Sequence, residues 1–144
     1  MSLRPTPKQR RAVEARAQWR CEYCLTPLRF SPQSFNADHV IPLSLGGRTK
    51  LNNLALACGC NQYKANRARA RDPQTRRMAA LFNPRRQVWE EHFTWSADTL
   101  QIIRLTAAGR ATVMALRLNR DELINLRRLL VLIGEHPPQL NTRR

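Results

Sequence analysis

Acidic residues and lysines are both scarce in this chain. Ten Asp and Glu stand against 25 Lys and Arg, and Lys8, Lys50 and Lys64 are the only lysines. A charge-balanced chain is thereby excluded, and a nucleic-acid partner is favoured over a merely solvated basic face. The excess of +15, with a pI near 11.5, is almost wholly arginine. No apolar run approaches the roughly 18–20 residues needed to cross a bilayer. The opening Met1-Ser2-Leu3-Arg4-Pro5-Thr6-Pro7 lacks the apolar stretch of a secretory signal, so the expected compartment is the cytoplasm. Internal repeats and low-complexity tracts are also missing. With 42% apolar residues, the 144-residue chain is not disordered throughout and can bury a core.

An arginine excess points to a phosphate-bearing partner. The guanidinium fork pairs bidentately with phosphate oxygens, and each neutralised phosphate releases counterions. The arginines are spread along the chain and no amphipathic anchor accompanies them. This favours DNA, with RNA open as well, over an anionic membrane.

The segments differ in character. Residues 6–19 read as a helix, with Thr6 as N-cap and Pro7 in the first turn. Residues 25–34 read as loop, 35–41 as a strand, and 45–48 as a Gly-Gly turn. Residues 54–57 read as a second strand, followed by a helix from Asn61 to about Arg71. Lys64 to Arg86 carries eight basic residues and one acid, Asp72, and reads as a helix end and an extended basic arm. Beyond it lie an aromatic group (Trp89, Phe93, Trp95), a strand over 100–105, and a helix over 109–118. A further helix over 120–133 has Asn119 as its expected cap and Gly134 as its stop. The predicted division is 1–71 as a core, 72–86 as a connecting arm and 87–144 as an extension. In the last helix Leu123, Leu126, Leu130 and Ile133 form one stripe around Arg127 and Arg128, which would serve as core or as the face of a homodimer. His92 reads as a packing residue and His136 as surface.

Four cysteines fall in two pairs, Cys21-x-x-Cys24 and, 34 residues after Cys24, Cys58-x-Cys60. In a reducing compartment clustered pairs of this kind bind metal more often than they form disulfides. Two such knuckles can wrap one zinc in a tetrahedron and leave it no open position for chemistry. A disulfide, a redox pair and buried free thiols are the alternatives.

Reactive groups must then lie elsewhere. Asp38-His39 ends the first strand, Asn53 follows fourteen residues later, and Asn61 adjoins the last cysteine with Lys64 one turn on. A hard cation such as Mg²⁺ or Mn²⁺ takes oxygen ligands, which Asp38 and Asn61 can supply. A neutral imidazole beside it can take a proton from an attacking water. Lys64, Arg67 and Arg48 could hold flanking phosphates.

The run Cys21-x-x-Cys24, Asp38-His39-Val40-Ile41-Pro42-Leu43-Ser44-Leu45-Gly46-Gly47, Asn53-Leu54, Cys60-Asn61-x-x-Lys64 resembles the HNH endonucleases, over roughly residues 20–67. The resemblance implies an α+β fold. Its parts are a zinc-braced ββα-metal core, an N-terminal helix and an α/β C-terminal extension. By resemblance His39 is the general base, Asp38 and Asn61 hold a catalytic divalent ion, Asn53 orients the loop and the base, and the four cysteines hold a structural zinc. Residues 81–112 are similar to the extension of one bacterial subgroup. The chain departs from the usual pattern in two places. Asn61 stands in place of a last His, and Cys58-Gly59-Cys60 is one residue shorter than the usual second knuckle. The expected function is a metal-dependent DNA endonuclease. The alternatives are a zinc-stabilised binding module without catalysis and a basic assembly protein.

Overall fold

A computed structural model describes residues 3–139. Helix α1 spans Pro7–Arg16 and begins as its sequence requires. The Thr6 hydroxyl accepts from the Gln9 amide at 3.1 Å, and the Gln9 side chain accepts from the Thr6 amide at 2.9 Å. Two of the orphan donors at the helix start are thereby satisfied. The helix stops before the expected residue 19, because Gln18 and Trp19 both turn to positive φ. Val13 is its buried contact. The Arg16 guanidinium donates to the carbonyls of Leu51 (2.9 Å) and Leu54 (2.6 Å), which ties α1 to the strand behind it.

That strand is β2 (Leu54–Ala57), paired antiparallel with β1 (Asn36–His39) so that Asp38 faces Ala55 and His39 faces Leu54. All four residues of β2 are buried, which explains its unbroken Leu-Ala-Leu-Ala pattern. Strand β1 is shorter than expected at both ends. Helix α2 (Cys60–Lys64) follows β2 after a single turn and completes the ββα unit.

The helix expected to run on to Arg71 does not. Ala65 adopts φ +53° and ends α2 at Lys64. The supposed basic arm starts instead with a hairpin, β3 (Arg69–Arg71) against β4 (Met78–Ala80). Asp72 builds its turn, accepting from the Gln74 amide (2.9 Å) and the Thr75 hydroxyl (3.0 Å). The same carboxylate receives a bidentate fork from Arg110, both bonds at 2.9 Å. These three partners pin the hairpin to the next helix.

The C-terminal half has a short helix α3 (Trp89–His92) leading directly into β5 (Phe93–Trp95), which pairs with β6 (Ile102–Arg104). Helices α4 (Ala107–Leu116) and α5 (Asp121–Leu132) close the chain. Thr106 caps α4 through the Gly109 amide. Asn119 does not cap α5. Its side chain exchanges two hydrogen bonds with the backbone of Ile102 and accepts a third from Arg127. Arg127 is buried, donating also to the carbonyls of Leu100 and Leu118. The α5 stripe is therefore only partly core: Leu123 and Leu130 are buried and Ile133 is exposed. His136, expected on the surface, is buried against Trp95 and bonded to the Thr99 carbonyl.

One hydrophobic cluster runs from Val13 and Tyr23 through Leu54–Ala57 to Phe82, Trp89, Phe93, Ile102 and Leu116. The Trp89 indole donates to the Tyr23 carbonyl at 2.9 Å, fastening the aromatic group to the first cysteine knuckle. Among the described residues no helix is long and apolar enough to cross a membrane.

Candidate metal centre and catalytic cleft

The zinc ligands expected from sequence do come together. The ligand atoms of Cys21, Cys24, Cys58 and Cys60 all lie within 4.8 Å of one another, and all four are buried, unbridged thiols. The Cys24 and Cys58 sulfurs are 3.4 Å apart, and those of Cys58 and Cys60 are 3.6 Å apart. Zinc–sulfur bonds of about 2.3 Å in a tetrahedron separate the sulfurs by about 3.8 Å, so the cluster has the size of a zinc-thiolate site. The short Cys58-Gly59-Cys60 knuckle works because Cys60 is already the first residue of α2. Four thiolates around one Zn²⁺ carry two negative charges. Arg120 answers them, with guanidinium nitrogens 3.6 Å from the Cys60 sulfur and 3.9 Å from that of Cys58. The nearby sulfurs raise the affinity of Arg120 for its proton although burial opposes this.

Glu22, inside the first knuckle, binds the knuckle to β2. Its carboxylate accepts from the Leu56 amide at 2.9 Å and pairs with Arg85, and its own amide donates to the Leu56 carbonyl at 2.8 Å. The first knuckle is thereby tied to β2, and the Cys58–Cys60 knuckle leads into α2, where Asn61 directly follows Cys60.

Asp38, His39 and Asn61 line one open cleft of about 700 Å³. Asp38 comes from the end of β1 and is 7% exposed. Its Oδ2 accepts from the Tyr23 hydroxyl (3.2 Å) and from Lys64 Nζ (3.1 Å). Burial pushes the Asp38 carboxyl up from its ordinary range, and the Lys64 and Tyr23 contacts oppose that shift. Burial lowers the affinity of the His39 imidazole for a proton, against the pull of Asp38, which favours the neutral ring. His39 Nε2 lies 2.9 Å from the Thr49 hydroxyl.

Asn53 does not enter the cleft. It clamps the loop between the strands: its Oδ1 accepts from the Ile41 amide (2.9 Å), and its Nδ2 donates to the carbonyls of Ile41 (3.0 Å) and Arg48 (2.9 Å). Its backbone carbonyl accepts from the Val40 amide, next to His39. The Gly-Gly turn exists for this clamp. Gly46 takes φ +92°, and a Cβ on Gly47 would sit 1.7 Å from the Ile41 carbonyl oxygen and 2.8 Å from Asn53 Nδ2.

The three expected phosphate contacts fare differently. Arg48 is exposed beside the clamp. Arg67 is exposed but its guanidinium is spent on the carbonyls of Tyr63, Lys64 and Ala115. Lys64 is 1% exposed, donating to the His39 carbonyl at 2.9 Å as well as to Asp38, so it braces the site from behind and does not reach solvent. The cleft is rimmed instead by Arg4 and Arg10, with Gln62 and Asn66 on the α2 side. Sequence reasoning passed over both arginines. Their only signal was the capped helix that brings the N-terminal segment to the site.

Residues 21–67 match the family model described as HNH endonuclease. Comparison with curated proteins and with solved structures returned no match. The matched span contains all four cysteines and the whole ββα unit, and its likeness to that family suggests a nuclease-type or nucleic-acid-related function.

Proposed function

We propose, from the HNH endonuclease domain that residues 21–67 form, that this protein is a divalent-metal-dependent endonuclease hydrolysing phosphodiester bonds in DNA. The observation that carries the reading is the convergence of Asp38, His39 and Asn61 on one cleft, held by the Asn53 clamp. Asp38 offers a carboxylate and Asn61 an amide oxygen, the hard donors that Mg²⁺ or Mn²⁺ prefers. The Asn61 side chain makes no hydrogen bond within the protein among the described residues, which leaves it available as a ligand. A bound divalent ion supplies charge that stabilises the scissile phosphate and the leaving oxygen.

The protein's own groups do the rest. Neutral His39 takes a proton from the attacking water as the water oxygen bonds to phosphorus. The phosphorus–oxygen bond opposite then breaks, and its electron pair leaves on the departing nucleotide oxygen. Arg10 and Arg48, both exposed, hold flanking phosphates. The zinc-thiolate site keeps α2, and thus Asn61, in register with β1. A homodimer would present two such clefts to the two strands of a duplex. The exposed Leu129, Leu132 and Ile133 are the apolar surface it would use.

One observation favours the second reading, a zinc-braced module that binds without cutting. Lys64 already neutralises Asp38 and weakens its pull on a cation. Plasmid DNA separates the two. A nuclease converts supercoiled plasmid only when Mg²⁺ or Mn²⁺ is added, and loses this in Asn61→Ala with zinc content unchanged. A binder retards the plasmid and leaves it intact with either ion.

A further inference from the structure

Strands β3 and β4 present a basic face that the cleft does not use. Their register sets Arg69 opposite Ala80 and Arg71 opposite Met78, so these four side chains share one side of the hairpin. All four residues are exposed. On the other side Ala70 is buried, and helix α4 packs against both strands. The turn adds Arg76 and Arg77, which are also exposed.

No carboxylate offsets this charge. The one acid of the hairpin, Asp72, is taken by the Arg110 fork. Among the described residues none of Arg69, Arg71, Arg76 and Arg77 forms a salt bridge. Arg71 Nη1 donates to the Arg76 carbonyl at 2.6 Å, and Arg69 Nη2 to the Met78 carbonyl at 3.4 Å. Each guanidinium is thus held by one nitrogen and keeps its remaining N–H donors for an outside acceptor. Residues two apart on a strand stand about 6.5–7 Å apart, which leaves room for one phosphate on each arginine.

The hairpin is rooted beside the cleft. Asn66 lines the cleft, and Arg69 opens β3 three residues later. Ala68 and Ala80 border one hollow with Val40 and Ile41, the two residues that follow His39. A two-stranded ribbon can enter a major groove, but α4 covers one face of this one. The open face therefore meets the phosphate backbone and not the base edges.

We propose that the β3–β4 hairpin is a second DNA-binding surface, in which Arg69 and Arg71 grip phosphates of duplex DNA flanking the stretch in the cleft, without regard to sequence. Its place beside a cut site rests on the nuclease reading; the binding does not.

The test is an anisotropy titration of a labelled duplex of about three helical turns with the zinc-loaded full chain, without Mg²⁺ or Mn²⁺. Each lost phosphate contact removes about 0.9 from the slope of log K against log salt. Arg69→Gln/Arg71→Gln should therefore flatten the slope by about 1.8 and weaken binding roughly 10–100-fold at low salt. Duplexes of unrelated sequence should show the same loss. Arg29→Gln/Arg128→Gln removes equal charge outside the hairpin and should leave the slope nearly unchanged. In the wild type the Nε–H NMR signals of Arg69 and Arg71 should shift as duplex is added, a readout that needs no variant to fold. Unmoved signals overturn the proposal, as do a wild-type slope in the hairpin variant, an equal loss in the control, and a wild type that does not bind duplex. A chain that binds through the hairpin and cuts nothing supports the proposal and removes the nuclease reading alone.

Discussion

Lys64 Nζ lies 3.1 Å from Asp38 Oδ2, and both side chains are buried. The pair joins the Asp38-His39 segment to the last residue of the motif. It places a cation directly behind the carboxylate that faces the cleft. Removing one member of a buried ion pair typically costs about 3–5 kcal/mol, because the other charge is left without compensation. Lys64→Met should therefore destabilise the fold by about that much in denaturant unfolding. A lysine that merely held phosphate would show the opposite pattern, with weaker DNA binding and unchanged stability.

The zinc site makes its own prediction. Elemental analysis should find about one zinc per chain, lost in Cys21→Ser. Arg120 does not ligate, but it lies against two of the sulfurs. Partners of this kind typically contribute about 10–100-fold in metal affinity. Arg120→Gln should weaken zinc retention by that order in a chelator competition. Unchanged retention would remove Arg120 from the account of the site.

The loop clamp predicts a sharp steric effect. In Gly47→Ala the new methyl meets the Ile41 carbonyl at a distance no packing tolerates, so the loop must open and break the Asn53 hydrogen bonds. Those bonds are worth about 1 kcal/mol each net. Both Gly47→Ala and Asn53→Ala should lower stability by about 2–3 kcal/mol and depress cleavage. Gly46→Ala, where open space surrounds the Cβ, should cost only the strain of its positive φ.

Acid stability should depend on Asp72. The Arg110 fork, with the Gln74 amide and Thr75 hydroxyl, holds its carboxyl well below the usual range. The unfolded chain therefore takes up this proton before the folded one does. The contribution is complete above the unfolded value of about 4 and is lost as pH falls below it towards the folded value. Melting temperature measured from about pH 5 to pH 3 should fall more steeply in the wild type than in Asp72→Asn. Parallel slopes would contradict this.

The metal-binding and cleft motifs were legible because they pair unusual residue types with fixed spacing. Cys21-x-x-Cys24 and Asp38-His39 mean little elsewhere, and Asn61 drew its meaning from adjoining Cys60. The last two helices were legible from their apolar periodicity. The β3–β4 hairpin was not. Arg69-Ala70-Arg71 offers a strand pattern only three residues long, and its one buried side chain is Ala70. What makes it a hairpin is the Asp72–Arg110 contact, 38 residues apart. The burial of Lys64 was hidden for a related reason. A lysine on a short helix reads as exposed until β1 supplies a carboxylate and a carbonyl for it. Asn119 and His136 were misplaced because their partners, Ile102 and Trp95, belong to the β5–β6 pair.

His39 remains the group on which the catalytic account turns. The direct measurement is cleavage of supercoiled plasmid by the zinc-loaded protein in Mg²⁺ or Mn²⁺, comparing wild type with His39→Ala at equal DNA binding. The account predicts nicked or linear product from the wild type and a loss of about 100-fold or more in His39→Ala, with gel-shift affinity unchanged. Equal cleavage by the two proteins, or a wild type that binds the plasmid and leaves it intact in both ions, would contradict it.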